Sequence, residues 1–587
     1  MTPAAAAPVP ARHGVALPAV LALVLSAALL LAQRRLDFTV NEEGFLWYGA
    51  VATAHGEVPL RDFYSYDPGR YYWAAAWTPL AGEGLLGLRL ATAAFAALGL
   101  WCGLLAVRRA VRNPLLLAGA GVVLSLWLLP RNKLYEPAIT MAAVLAATCL
   151  VERPDRRRHL LAGVMVGFGT FMGKNHGLYL GAAFLALILL LWLRRTGPTL
   201  DAAAAAETPA PGPPEAAPPA ADGPPASSAP APAPARRRQA RRPRDLGGRL
   251  GAFAGGVALG ALPLAAMLAL VPGFARAYLD SVFFFVEQGQ TNFPLPVPWP
   301  WDFSYGAMTP WDAAKTFSIA FCFLLTAVWF ALGGLAVAAM PAERLRRNAL
   351  LAGAIAVGAA YTHHAFSRAD LAHLAPSIHP LLLGLLALPA ACAGALAARP
   401  AAARAARWAG GAAVGLLLAF VTVATALPAQ PLYHQLTTHV MVPYTVAGEN
   451  LLLRPRTIAL LDWVERAAAA RMPPHAPILL APNLPGLYRV LDRRSPVWDI
   501  YPIWPASDEL DRRMLAELER HRVEWAFVQN ASVDGRRALL FRRTHPRVWD
   551  YLMQNFELED SCRPERPMEC ALLHKKTPEH DRRTEHE

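Results

Sequence analysis

Leu36-Asp37-Phe38-Thr39-Val40-Asn41-Glu42-Glu43-Gly44-Phe45-Leu46-Trp47-Tyr48-Gly49-Ala50 follows an apolar run that ends near Ala32, and Gly56-Glu57-Val58-Pro59-Leu60-Arg61-Asp62-Phe63 comes soon after. The stretch sets the carboxylates of Asp37, Glu42, Glu43 and Asp62 and the guanidinium of Arg61 just beyond the first hydrophobic segment. Carboxylates at the rim of a membrane are costly unless they meet water, an opposite charge or a substrate. This stretch is therefore where a membrane-threaded chain would keep its chemistry.

The composition agrees. The 587 residues are 55% hydrophobic and only 17% charged, with a positive mean hydropathy, and the apolar residues come in long runs, which excludes an ordinary soluble protein. The formal charge of +13 does not signal nucleic acid. Arginines sit in short clusters between apolar runs, as orientation signals do, and no basic face interleaved with aromatics appears, so no nucleic-acid partner is expected. Among the six cysteines, Cys102, Cys149, Cys322 and Cys392 lie in apolar runs and read as small core residues. Cys562 and Cys570 fall in the polar tail and can close a small disulfide loop if that tail lies outside the cytoplasm. No zinc-type spacing occurs. The richness in Ala, Arg and Pro suits a GC-rich bacterial genome.

A helix needs about 20 mostly apolar residues to cross the hydrocarbon layer. By that measure the chain reads as a membrane all-α bundle of about eleven transmembrane helices, near 15–32, 84–107, 114–130, 137–151, 159–172, 178–193, 250–271, 315–340, 349–363, 375–397 and 408–427. The first run exceeds a usual signal core and is followed by Gln33-Arg34-Arg35 rather than a small-residue cleavage site, so it reads as a retained span. With the N-terminus in the cytoplasm, the clusters at Arg108–Arg112, Arg153–Arg158, Arg194–Arg195, Arg344–Arg347 and Arg404–Arg407 all fall inside; Arg34-Arg35 is the exception. The stretch 33–83, the segment 131–136, Gly173-Lys174-Asn175-His176-Gly177, the loop 272–314, the segment 363–373 and the tail then share the outer face. Four parts are expected: a membrane part, 1–195; a disordered cytoplasmic linker, 196–248, whose basic end lies on anionic head groups; a second membrane part, 249–430; and an extracytoplasmic α/β domain, 444–587. In that domain 457–466 and 508–520 have helical periodicity, while 477–482 and 523–529 read as short buried strands. Asn483-Leu484-Pro485-Gly486 is far short of a nucleotide-binding fingerprint; a lid or acceptor-binding role suits the domain.

Glu42 and Glu43 open a pattern suited to an interfacial helix, with Trp47 and Tyr48 at head-group depth. On the plain reading they are first-turn carboxylates favoured by the helix dipole. Asp62, Asp67, Arg61 and Arg70 crowd the same outer loop among Tyr64, Tyr66, Tyr71 and Tyr72. Carboxylates beside aromatic platforms suit sugar binding, and a carboxylate there can serve as general base. Lys174 reads equally as a snorkelling lysine, and His176 as a hydrogen-bonded rim histidine. Arg368 either pairs with Asp370 or takes phosphate in bidentate fashion. Glu136 and Lys133 are expected on the same cavity, as is His373, and Trp299 and Trp301 suit an interface or a sugar platform. His363, His364, His373 and His379 raise a divalent metal, but Asp370 is the one acid among them, so no metal or other cofactor is assigned.

The pattern Glu42-Glu43-Gly44-Phe45-x-x-Tyr48-Gly49-Ala50, then His55-Gly56-Glu57-Val58-Pro59-Leu60-Arg61-Asp62-Phe63, Pro68-Gly69-x-Tyr71-Tyr72 and Leu88-Arg89 resembles the first outer loop and second span of the GT-C membrane glycosyltransferases. That group includes protein O-mannosyltransferases, the lipid A aminoarabinose transferase and lipopolysaccharide-core transferases. The resemblance covers residues 36–195, and more loosely the layout to about 427. It implies a helical bundle with an outer-face cavity, a polyprenyl-phosphate sugar donor, and an acidic residue of the first outer loop as base. Relatives often carry Asp-Glu where this chain has Glu42-Glu43, which leaves Glu42, then Glu43, then Asp37 as candidates. Arg61, Lys174 and Arg368 are nominated for the donor phosphate.

Two classes of function follow. One is an inverting glycosyltransferase in a bacterial inner membrane, moving a sugar from the lipid donor to an envelope glycan, lipid or protein. The other is a flippase or transporter of lipid-linked glycans, which would carry charges at midspan and interrupted helices in matching halves; charges here cluster at outer span ends instead. A glycan ligase or polymerase relying on outer arginines is a third, weaker reading.

Overall fold

The computed structural model describes residues 14–194, 246–289 and 292–577, so nearly all of the linker expected over 196–248 lies outside the described residues. Each expected span is helical, but the helices differ in length and straightness. Seven helices are long and apolar enough to cross: Ala16–Gln33, Leu85–Val107, Arg131–Glu152, Lys174–Leu193, Pro310–Ala339, Ala349–Phe366 and Pro400–Ala426. Two further spans are bent, Leu246–Gly260 with Leu262–Leu270 by 57° and Leu371–Ser377 with His379–Ala395 by 50°. In both, a proline in the first turn of the second helix withholds a backbone donor at the break. Pro114–Leu126 has 13 residues and Arg156–Met172 has 17, with three arginines in its first turn. Against the expected eleven, seven helices among the described residues, or nine with the bent pairs, are long and apolar enough to cross. Leucines such as Leu23, Leu189, Leu335 and Leu416 stay exposed on the outer faces of these helices, as side chains turned to lipid do.

A glycine seam joins the segments on either side of the linker. Gly163-x-x-x-Gly167 of the helix Arg156–Met172 meets Gly256-x-x-x-Gly260 of Leu246–Gly260 so closely that a Cβ on Gly163 would lie 2.9 Å from the Cα of Gly256. With lipid outside, helix association draws on such close backbone contact rather than on the hydrophobic effect.

The C-terminal part holds two sheets. The hairpin β1 (Val442–Val446) and β2 (Glu449–Leu453) turns at Ala447 and Gly448, both with positive φ, 46° and 80°, the conformation a tight hairpin demands. Leu452 exchanges backbone hydrogen bonds with Arg35 (2.7 Å) and Asp37 (2.8 Å), stitching the hairpin to the first outer loop. The second sheet has the order β3-β4-β6-β5, built from β3 (Ile478–Ala481), β4 (Trp525–Val528), β5 (Phe556–Ser561) and β6 (Ala571–Lys575). β3 and β4 run parallel, and β6 is antiparallel to both its neighbours. Helices Pro455–Arg471 and Asp508–Arg520 flank it, and Cys562 is disulfide-bonded to Cys570.

One expectation is corrected here. The helix Glu42–Ala54 does not lie at an interface with Trp47 and Tyr48 at head-group depth: Trp47 is 1% exposed, and every residue from Glu43 to Thr53 is buried. The C-terminal domain covers it. A Cβ on Gly44 would come within 2.5 Å of the Cα of Gly486, the Gly486 amide donates to the Val40 carbonyl at 2.9 Å, and the Ser495 amide donates to the Tyr48 hydroxyl at 3.1 Å. The glycine of Asn483-Leu484-Pro485-Gly486 thus serves close packing.

Gly256→Leu must part the seam, at a cost of about 1–3 kcal/mol for overpacking, and should lower the melting temperature in detergent by several degrees. Gly255→Leu, where an added Cβ meets nothing within 4 Å, should leave it unchanged.

Candidate active site

Adjacent residues on a helix point about 100° apart, so Glu42 and Glu43 face different surroundings. Glu43 points inward. Arg89 grips it with Nε to Oε1 and Nη2 to Oε2, both at 2.8 Å, and Arg131 approaches Oε2 at 3.5 Å. Burial alone would raise the Glu43 pKa, but the charges of Arg131 and Arg89 and the Arg89 hydrogen bonds outweigh it and hold the carboxyl below its usual range. The same guanidiniums donate to the carbonyls of Arg34 and Asp37 (Arg89, 2.6 Å each) and of Leu36 (Arg131, 2.7 Å). Glu43 is therefore committed to holding the first outer loop on the bundle.

Glu42, half-buried, faces a cavity of about 320 Å³. The first outer loop supplies Glu42, Phe45, Tyr66, Asp67 and Arg70; the bundle supplies Lys133, Glu136, Lys174, His176, His364, Arg368 and His373; the C-terminal domain closes it with Asn483, Tyr501, Trp504 and Asp534. Most charges on this wall are paired. Arg70 donates to Glu136 at 3.2 Å, Lys174 reaches Asp67 at 3.2 Å and also donates its amide to it at 3.0 Å, and Arg368 grips Asp370 and Asp534. Two charges stand outside these pairs. Glu42 accepts from the Asn132 side chain at 3.1 Å, and Lys133 contacts the Nε2 of His373 at 3.2 Å; neither has an opposite charge within ion-pair distance among the described residues. Five buried atoms of the wall residues, Asp67 Oδ1, Arg70 Nε, Glu136 Oε2, His364 Nε2 and Asn483 Oδ1, likewise have no hydrogen-bond partner among them, though Asp67 Oδ1 lies in the ion pair with Lys174. Buried polar atoms are rarely left so unless a ligand or water completes them.

His373 also donates its Nδ1–H to the Asp370 carboxylate at 2.7 Å. Burial would raise the Asp370 pKa, yet His373 and Arg368 hold it at about 2. His176 shares a 2.8 Å hydrogen bond with the Tyr361 hydroxyl. The other histidines raised for a metal disperse: His363 meets the Tyr179 hydroxyl at 2.7 Å, and His379 meets the Leu124 carbonyl at 3.1 Å. No group of three or more His, Cys, Asp or Glu placed to hold a metal occurs among the described residues.

Of the nominated residues, Glu42, Asp67, Glu136, Lys174, His176, Arg368 and His373 come together on this cavity. The rest do not. Asp37 has φ 55°, pairs with Arg454 at 3.0 Å and borders a separate groove of about 570 Å³. Arg61 and Asp62 pair with each other at 2.8 Å on a third groove of about 1090 Å³; that groove is larger, but its Arg494 and Arg513 are likewise paired, with Glu57 and Glu517. Trp299 and Trp301 stack on one another at 5.5 Å, Trp301 being 67% exposed, and do not line the cavity. What sequence reading missed is the wall brought by the C-terminal domain, Tyr501, Trp504 and Asp534. The Tyr501 and Phe45 ring centroids lie 5.0 Å apart although the two residues are far apart in the chain, and no local signal marks such a contact.

The segment carrying Tyr501 also holds Asp499, which accepts the Tyr501 amide at 3.0 Å. Burial pushes its carboxyl up to about 7, with Glu517 adding to the shift against the Tyr501 amide and Arg513.

No protein-family model and no curated protein matches the chain. Among solved structures it is similar to ArnT from Cupriavidus metallidurans bound to undecaprenyl phosphate, at 14% identity, over 96% of this chain and 98% of that one, with a TM-score of 0.45. It is similar also to ArnT from the same organism in the apo state, at 13% identity, over 95% and 97%, with a TM-score of 0.43.

Removing one partner of a buried ion pair costs about 3–5 kcal/mol, so Glu43→Ala should lower the melting temperature sharply, whereas Glu42→Ala should leave it within a degree or two. A raised carboxyl pKa contributes stability that is present at low pH and lost as pH rises through the folded value. Melting of the wild type should therefore fall between about pH 5 and about pH 7 through Asp499, given its shift to about 7, and Asp499→Asn should flatten that slope.

Proposed function

We propose that the chain is a membrane glycosyltransferase that moves one sugar from a polyprenyl-phosphate-linked donor to a cell-envelope acceptor, a glycolipid, polysaccharide or protein, with inversion. The observation that carries this reading is the unpaired couple on the cavity wall: a carboxylate, Glu42, and an ammonium, Lys133, on either side of Asn132's contact, in a cavity at the end of an apolar bundle. The sequence pattern of residues 36–72, with its resemblance to GT-C enzymes, supports it independently.

The chemistry divides between those two groups. Asn132 holds one Glu42 oxygen, leaving the other to accept the acceptor's hydroxyl proton. As the acceptor oxygen attacks the anomeric carbon, the bond from that carbon to the phosphate oxygen breaks and its electron pair leaves with the polyprenyl phosphate. Lys133 and Arg368 meet the growing negative charge, which a preformed cationic wall stabilises more than it stabilises the donor. Attack opposite the leaving group inverts the anomeric centre. The aromatic wall of Phe45, Tyr66, Tyr501 and Trp504 suits the apolar face of a sugar. Of the three carboxylates nominated, Glu42 is the one on the cavity; Glu43 holds Arg89 and Arg131, and Asp37 holds Arg454.

The Arg clusters favour an inner-membrane chain with its N-terminus in the cytoplasm and its C-terminal domain outside. The Cys562–Cys570 disulfide suits an oxidising compartment for that domain.

Purified protein given labelled polyprenyl-phosphate sugar and envelope glycolipid extract should transfer label to the extract. Glu42→Gln should lower kcat by on the order of 10²–10⁴ with the melting temperature kept. Undiminished turnover in that variant would remove Glu42 as the base, and absence of any transfer by wild type across donor sugars would remove the reading itself.

A further inference from the structure

Arg368, the nominated phosphate ligand, already holds an anion. Its Nε donates to Asp370 at 2.7 Å, while Nη1 and Nη2 each donate to one oxygen of Asp534, at 2.6 and 2.7 Å. That two-pronged grip is the geometry in which a guanidinium takes a phosphate. Asp534 belongs to the C-terminal domain, 166 residues from Arg368 in sequence, and stands at the tip of a turn: it has φ 54°, Gly535 has φ 69°, and Val533 bridges Arg536 across them. Val533 and Asp534 line the cavity. The Arg368 fork is thus filled by a carboxylate that the C-terminal domain reaches across to supply.

The two anions on Arg368 differ in how they are held. Asp370 also accepts from the His373 amide and contacts its ring, and His373 in turn contacts Lys133. Loss of Asp534 would therefore leave Arg368 oriented by Asp370 with its outer fork open. Among the described residues Asp534 has no side-chain partner but Arg368, and the turn around it is otherwise tethered by Arg536 over the Phe293 ring at 6.0 Å and by Val533 against the cluster of Phe293, Trp504 and Leu539.

We infer that Asp534 occupies, in the donor-free protein, the seat on Arg368 that the donor phosphate takes. Phosphate entry displaces the carboxylate and frees the 533–536 turn from the cavity wall, so the donor enters first and the acceptor follows through the space the turn vacates. Asp534 is a positioning residue, acting through Arg368. The exchange is a swap of one anion for another on a constant cation, so Arg368 keeps a counter-ion at both stages while the released Asp534 carboxylate turns to water. It also strengthens along the reaction, because the departing polyprenyl phosphate carries more negative charge than the sugar-linked donor. This inference rests on the donor class proposed above.

The test uses the full chain in detergent, with a polyprenyl phosphate as probe and the matching polyprenol as neutral control. If a competing carboxylate withholds the seat, apparent affinity is reduced by the fraction of protein with the seat open. Asp534→Asn should then bind the phosphate about 5–10-fold more tightly than wild type, Asp534→Glu should return it towards the wild-type value, and Arg368→Ala should abolish the gain from Asp534→Asn. In the wild type, the polyprenyl phosphate should raise backbone hydrogen exchange over 531–537, and the polyprenol should not. Equal or weaker phosphate binding by a folded Asp534→Asn, or unchanged exchange in that turn when phosphate binds, overturns the inference while leaving the donor class standing. Failure of the wild type to prefer polyprenyl phosphate over polyprenol overturns the donor class, and the inference with it.

Discussion

The buried grip of Arg89 and Arg131 on Glu43 is the constraint from which the site follows. A carboxylate at 5% side-chain exposure and an arginine at 2% tolerate burial only because each satisfies the other, and their remaining donors are spent on the carbonyls of residues 33–37. One cluster thus fixes the end of the first span, the turn after it, the start of the helix Glu42–Ala54, the span Leu85–Val107 and the segment Arg131–Lys133. With Glu43 pinned, helix geometry leaves Glu42 a single direction. With Arg131 pinned, Asn132 and Lys133 must project from the same short helix, one to Glu42 and the other to the cavity wall. Glu42 and Lys133 are thus aimed by residues that never face the cavity.

The cavity itself belongs to no single part of the chain. The bundle contributes the histidines and most of the cations, the first outer loop contributes Glu42, Asp67 and aromatics, and the C-terminal domain contributes a closing wall. That division explains why Glu42–Ala54 is buried rather than floating at a lipid surface. It is the middle layer, gripped from below by arginines and pressed from above by Gly486, Tyr488 and Ser495.

Segments governed by local physics were legible beforehand. The long apolar runs became helices, Asp508–Arg520 matches its periodicity to the residue, and the strands expected over 477–482 and 523–529 appear as Ile478–Ala481 and Trp525–Val528. Hydropathy registers apolarity and is blind to where a helix bends or stops short, as at the two bent pairs and at Pro114–Leu126. Hairpin β1–β2 and strands β5 and β6 escaped notice, being brief and partly polar, with pairing that depends on partners far along the chain. At the site, sequence placed seven nominated residues on one cavity yet could not separate Glu42 from Glu43. Their difference is a matter of which side of one helix meets Arg89, and that is decided by tertiary packing. The pairing of Arg368 with Asp534 was equally out of reach, since nothing local ties residues so distant.

The glycine seam has a consequence for how the chain is connected. Arg156–Met172 and Leu246–Gly260 touch backbone to backbone along two turns, so the two membrane parts adhere through their own surfaces. Two separately made membrane parts are therefore expected to find each other in the bilayer through the same four glycines.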